Sequence, residues 1–143
     1  MLISDVIRGK GDSVITIRPE QTVKEAVERL AKHHIGALVV EHHLKPVGIF
    51  SERDLVNRLA KSGVRAWEYE VRELMTSPIV TARPEDTIEH ALGLMTRRRI
   101  RHLPILKGED LAGLVSLGDL IAYRLDQKEL EANVLLDITR GRS

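Results

Sequence analysis

The sequence predicts an α/β (α+β) fold built by duplication, with two pseudo-symmetric β-α-β-β-α repeats packed as one module and a C-terminal helix after them. Three observations predict it. The second half repeats the first in register: Pro84 lies 65 positions after Pro19, and the same offset carries Thr16 to Thr81, Arg18 to Arg83, Glu20 to Glu85, Thr22 to Thr87 and Ala26 to Ala91. It continues through Ile35 and Ile100, Leu38 and Leu103, Gly48 and Gly113, Ser51 and Ser116, Asp54 and Asp119, and Leu55 and Leu120. So many identities without a gap mark an internal repeat. Each copy also alternates short β-rich runs with a stretch of helical periodicity. Finally, each copy ends on one corner, in which a glycine lies in an apolar strand, a serine ends the strand and an aspartate follows three residues later.

In the first copy, Val14-Ile15-Thr16-Ile17 is a short β-rich run and Arg18–Gln21 a turn. Thr22 caps a helix, with Glu25 at the capping-box position. Val23, Ala26, Val27, Leu30 and Ala31 give that helix one apolar face, and His33-His34-Ile35-Gly36 ends it. Ala37–Val40 and Pro46–Phe50 read as two strands joined by a turn at His42–Lys45. Ser51 caps a helix over about 52–61, stopped by Ser62-Gly63. The second copy gives a strand at Ile79-Val80-Thr81, a helix from Ile88 to about Arg98, strands His102–Leu106 and Leu111–Val115, and a helix after Ser116.

A short apolar segment precedes each copy, Ile3–Ile7 and Val71–Met75. These match at an offset of 68, so the first copy carries three extra residues around Gly9-Lys10-Gly11. The link Val64–Glu70 holds the sole tryptophan, Trp67. In the tail, Leu130, Val134, Leu135 and Ile138 recur at helical spacing, which predicts a terminal helix over 127–139 packed on the module or on a second chain. The divisions expected are 1–63, 64–126 and 127–143.

The 143 residues suffice for one ordinary domain or two small halves sharing a core. Hydrophobic residues make up 43% and charged ones 30%, a globular balance. Aromatics at 3% leave an aliphatic core and argue against base-stacking surfaces. Lysine and arginine total 22 against 21 acidic residues, and a net charge of +1 argues against a non-specific nucleic-acid binder. With no cysteine, disulfides, thiolate metal sites and cysteine nucleophiles are excluded. Met1–Asp5 lacks the features of a signal peptide and no stretch approaches the roughly 20 apolar residues that span a bilayer. The expectation is a soluble, cytoplasmic protein without a membrane partner.

The two corners gather a hydroxyl, backbone N–H groups and a carboxylate where a strand passes into a helix. Ser51 and Ser116 suit N-caps, and Asp54 and Asp119 suit the first helical turn, with no ligand required. The same groups suit a nucleotide: an ionised carboxylate accepts both hydrogens of a ribose diol, while the hydroxyl and helix N–H groups hold the adjacent phosphate. The corners differ, because Arg53 offers a phosphate-binding fork where the second copy has Gly118. His33, His34, His42 and His43 match no zinc spacing. No nucleophile elbow, phosphate loop or Rossmann fingerprint is found, and no carboxylate pair stands out as an acid–base couple.

The duplicated pattern resembles a tandem pair of CBS domains (named for cystathionine β-synthase), or Bateman module, of the stand-alone prokaryotic kind. The resemblance covers Ile3 to about Leu125. It is carried by Met75-Thr76-Ser77-Pro78, Arg83-Pro84-Glu85-Asp86-Thr87, Arg98-Arg99-Ile100-Arg101-His102-Leu103-Pro104-Ile105 and the two Gly-to-Asp corners. It implies that Asp54 and Asp119 hold ribose, with Ser51 and Ser116 beside them, and that Arg101 and His102 reach phosphates in the central cleft. It also implies that main-chain groups near Ile17 and Thr81 meet the adenine edge. The ligand implied is AMP first, then ATP, ADP, NAD(H) or S-adenosylmethionine, with no cofactor required and no metal. The function implied is regulatory rather than enzymatic: the nucleotide bridges both halves, and a partner protein reads the change in a homodimer associated through its helices. Two other classes compete. One is a dimerisation scaffold with empty clefts, and the other a nucleic-acid binder using Arg97–Arg101.

Overall fold

The computed structural model describes residues 1–11 and 13–141. The order of elements is α1 (Ile3–Lys10), β1 (Thr16–Ile17), α2 (Val23–His33), β2 (Ala37–His42), β3 (Lys45–Ser51), α3 (Glu52–Ser62), α4 (Val71–Leu74), α5 (Ile88–Arg98), β4 (His102–Lys107), β5 (Asp110–Ser116) and α6 (Leu117–Gly141), with a 3₁₀ turn at Gly63–Glu68 between α3 and α4. The duplication is therefore structural as well as sequential. β1, β2 and β3 form one sheet, β1 parallel to β2 and β2 antiparallel to β3. β4 and β5 pair in the corresponding antiparallel register, with His102 opposite Ser116 where the first sheet sets Ala37 opposite Ser51.

The expected strand at Ile79-Val80-Thr81 does not form, and only a single parallel bridge joins Ala82 to Ile105. The reason is a missing donor. In the first sheet Val39 N–H donates to the Ile15 carbonyl; the residue at that place in the second is Pro104, which has no N–H. The ladder then shrinks to the bonds made by Ala82 alone. Helix caps follow the sequence more closely. Thr22 accepts from Glu25 N–H, as expected, but the Glu25 carboxylate turns to the Gln21 amide, so the capping box is only half made. α2 and α5 both end on a left-handed residue, His34 at φ 53° and Arg99 at φ 55°.

Each leading helix is buried in the other repeat. Ile3 and Val6 of α1 pack with Ile88, Ala91, Met95, Leu103, Ile105 and Leu120, which are residues of the second copy. Val71 and Leu74 of α4 pack with Ile17, Val23, Leu30, Leu38 and Phe50 of the first. The backbone repeats this exchange bond for bond: Ile3 N–H to Asp86 O and Ser4 N–H to Pro84 O are matched by Val71 N–H to Gln21 O and Arg72 N–H to Pro19 O. Burying each such aliphatic side chain contributes about 1.5–3 kcal/mol, so both halves depend on the exchange.

The tail is not a separate helix. α6 runs without a break from Leu117 to Gly141, because Gly63, which stops α3 with φ 60°, is replaced at the matching position by Lys128. Beyond residue 127 the described part of α6 is exposed and does not pack on the module, leaving Leu130, Val134, Leu135, Leu136 and Ile138 about half or more accessible.

The two repeat glycines let the halves approach. A Cβ on Gly48 would stand 2.8 Å from Met75 Sδ and 2.9 Å from the Thr76 carbonyl oxygen; on Gly113 the nearest atoms would be those of the Ile7 side chain, from 3.1 Å. Backbone cannot yield as a side chain does. Gly48→Ala is therefore expected to destabilise by about 1–3 kcal/mol, and Gly113→Ala by clearly less, as read from urea unfolding midpoints of the two variants.

Candidate functional site

The two halves leave a cleft of about 840 Å³ between them, within the usual range for small-ligand sites. The first repeat supplies Gly36, Ile49, Ser51, Glu52, Arg53, Asp54 and Asn57. The segment leading into the second supplies Thr76, Pro78, Ile79 and Val80, and the second repeat itself supplies Arg98, Arg99, Ile100, Arg101, His102, Ser116, Leu117, Gly118 and Ile121. One part of this wall is aliphatic and another strongly basic.

Asp54 sits at the third position of α3 because Ser51 ends β3 and caps the helix reciprocally. Ser51 N–H donates to Asp54 Oδ2 at 2.9 Å, and Ser51 Oγ lies 3.1 Å from the same oxygen. The other oxygen, Oδ1, accepts from Thr76 Oγ1 at 3.1 Å. Thr76 is placed there by two backbone bonds with Ile49, 2.8 and 3.1 Å long. Asp54 is in no ion pair among the described residues. Its Oδ1 is thus a carboxylate oxygen held only by a hydroxyl that can rotate away, and it retains lone-pair capacity.

The basic wall comes from the end of α5 and the start of β4. Arg99 in the left-handed conformation turns the chain, after which Arg101 and His102 reach the cleft. His102 is held below the ordinary histidine range, first by burial; Glu52 and Asp119 oppose that shift, and Lys10 and Arg101 add to it. A Cβ at Gly36 would lie 3.4 Å from His102 Nε2, so the ring rests against the first repeat. The helix N-termini offer less than the sequence implies. Glu52 N–H donates to Gly36 O, Leu117 N–H to Arg101 O, and the Asp54 and Asp119 amides to their own capping serines. Attraction for an anion here rests on guanidinium groups rather than on those amides.

Of the residues singled out in the sequence, Ser51, Arg53, Asp54, Arg101, His102 and Ser116 line the one cleft. Three do not. Ile17 is buried in the core of the first repeat and borders a separate concavity of about 490 Å³ with Arg18, Arg29 and His42. Thr81 lies one residue past the lining, whose contributors are Ile79 and Val80. Asp119 is absent from the lining, and its Oδ2 accepts from Ser116 N–H at 2.8 Å and from Lys10 Nζ at 2.6 Å. Burial alone pushes the Asp119 carboxyl up, but the hydrogen bond and charge of Lys10 together with Ser116 outweigh it and hold the group below the usual carboxylate range.

Thr76, Ile79 and Lys10 were not singled out by sequence, and Val80 only as an immediate neighbour of Thr81. Thr76 stands in the Met75–Pro78 run that carries the family resemblance, and Lys10 in the three extra residues of the first copy, so both left a mark without a role. Among the described residues no helix is long and apolar enough to cross a membrane, and no group of three or more His, Asp or Glu side chains is arranged to hold a metal ion.

Comparison with known proteins agrees with this architecture. Residues 3–61 and 71–126 each match the CBS domain. The chain is 35% identical over 131 residues to a mitochondrial CBS domain-containing protein of Arabidopsis thaliana, covering 83% of this chain and 62% of that protein's length. A crystal structure of a CBS-domain containing protein from Agrobacterium tumefaciens superposes with a TM-score of 0.84 at 34% identity, over 87% of this chain and 99% of the other. A CBS domain pair crystallised in complex with 5′-methylthioadenosine and S-adenosyl-L-methionine superposes with a TM-score of 0.78 at 25% identity, over 90% of this chain and 98% of its own. A family match across both repeats, the exchanged leading helices and these likenesses lead to one conclusion: the chain belongs to the CBS domain family, as a tandem pair.

Proposed function

We propose that this CBS pair is a regulatory module that binds an adenosyl nucleotide, AMP first, in the cleft at Asp54, and is not itself an enzyme. The observation that carries the reading is the convergence in one cleft of a carboxylate without an ion pair, an aliphatic wall and a basic wall. The ribose diol takes the place of the Thr76 hydroxyl on Asp54 Oδ1, the base lies among Ile49, Ile79, Val80 and Ile121, and the phosphate meets Arg53, Arg101 and His102. A ligand so placed touches both halves, and it shifts their relative orientation by as much as its affinities for the two orientations differ. The adenosyl compounds bound by the similar CBS pair support the ligand class. ATP, ADP, NAD(H) and S-adenosylmethionine are the competing occupants, and mass spectrometry of small molecules that copurify with the protein separates them. The homodimer belongs to the same reading, supported by the exposed apolar side chains Val56 and Leu125 on α3 and α6.

Calorimetric titration with AMP tests the site. Asp54→Asn keeps the shape and removes the charge, and is expected to weaken binding roughly 10- to 100-fold, the worth of a charge-assisted hydrogen bond; an unchanged isotherm overturns the assignment.

His102 sets a pH dependence. Its lowered value leaves it neutral in the free protein at pH 7, and an adjacent phosphate favours the protonated form. Binding then takes up a proton, so AMP affinity rises as pH falls from 8 towards 6. His102→Gln is expected to lose that increment while keeping the part due to ionisation of the phosphate itself, which a pH series of titrations on both proteins resolves.

A further inference from the structure

We propose that Lys10 is an internal stand-in for ligand that keeps the Asp119 corner shut, so that each chain offers one nucleotide site and not two. This deepens the nucleotide reading of the Asp54 cleft and rests on it for the identity of the ligand.

Pseudo-symmetry would give two equal corners, and a comparison at equivalent positions shows where they part. In the first, Ile49 exchanges backbone bonds with Thr76, and the neutral Thr76 hydroxyl donates to Asp54. In the second, the residue equivalent to Ile49 is Leu114. Its carbonyl accepts instead from Lys10 Nζ at 2.9 Å, and the same ammonium donates to Asp119 Oδ2 at 2.6 Å. Helix length explains the difference. α4 ends at Leu74 after four residues, so Thr76 is extended and can pair as a strand. α1 continues for eight residues to Lys10, and the position matching Thr76 at the offset of 68 is Arg8, still inside the helix. The three extra residues thus replace a strand-like neighbour by a cation on a long stem.

The replacement decides what the carboxylate can bind. A diol and an ammonium both donate charge-assisted hydrogen bonds to the ionised Asp119, but the ammonium adds the attraction of a full positive charge, which the diol lacks. The pair is partly shielded, with the two side chains 43% and 28% exposed, so solvent does not fully dissolve it. Against the upward push of burial, the Lys10 and Ser116 bonds, both of which fall on Oδ2, hold the Asp119 carboxyl low. Ser116 and Gly118 of this corner form part of the wall of the Asp54 cleft, while neither Lys10 nor Asp119 lines it.

Two measurements test this. Titration with AMP is expected to give one site per chain in the unaltered protein, weakened roughly 10- to 100-fold in Asp54→Asn and unchanged in Asp119→Asn. Lys10→Ala is expected to raise the count to two, with the second site removed again in Lys10→Ala/Asp119→Asn. Two sites in the unaltered protein, or a count of one in Lys10→Ala, overturns the proposal. Independently of any nucleotide, brief acetylation followed by peptide mass spectrometry should modify Lys10 at least tenfold more slowly than the exposed Lys61, and Asp119→Asn should erase the difference. Equal labelling of Lys10 and Lys61 in the unaltered protein overturns the closure. If no variant binds AMP but Lys10 is protected and released by Asp119→Asn, the closure stands and it is the nucleotide reading that has failed.

Discussion

The reciprocal burial of the leading helices is the constraint on which the rest of this protein depends. Neither copy closes its own core: α1 completes the second and α4 the first, through aliphatic side chains and matching backbone bonds. The cleft is a by-product of this arrangement. With α4 seated in the first core, the chain leaves it beside Ile49, and Thr76, Pro78, Ile79 and Val80 become one wall of the cleft. Gly48 is required where that passage is tightest, since a side chain there would strike backbone.

What could be read from the sequence was what local chemistry determines. The Ser-to-Asp corners follow from capping within four consecutive residues, and both were legible, as were the ends of α2 and α5 and the hairpins. What could not be read was set by residues distant in the chain. The absent strand at 79–81 depends on Pro104 across the sheet, and the cation paired with Asp119 is Lys10, 109 positions away. Thr76 was within the quoted motif, but its hydrogen bond to Asp54 arises only once α4 is seated. The unbroken α6 is an intermediate case: the stop signal at Gly63 and its replacement by Lys128 were both visible, and the loss of one means the persistence of the helix.

Duplication followed by small local change explains the electrostatics as well. Arg53 has become Gly118 in the second copy, and Gly36 and Ala37 correspond to Arg101 and His102. Basic groups from both copies face the same cleft, Arg53 from the first and Arg98, Arg99, Arg101 and His102 from the second. Positive charge is thereby concentrated at one opening although the whole chain is nearly neutral, which favours the approach of an anion to that opening over the rest of the surface.

Any tilt at the root of the uninterrupted α6 would be magnified at its tip. Its first two turns contribute Leu117, Gly118 and Ile121 to the cleft wall, while its last fourteen or so residues are exposed. Twenty-five residues at 1.5 Å each make a rod of about 37 Å. A tilt of about 10° at its root therefore carries its tip about 6 Å, by the geometry of a rigid rod of that length. The helix is a pointer whose root lies at the mouth of the groove and whose far end reaches beyond the packed halves.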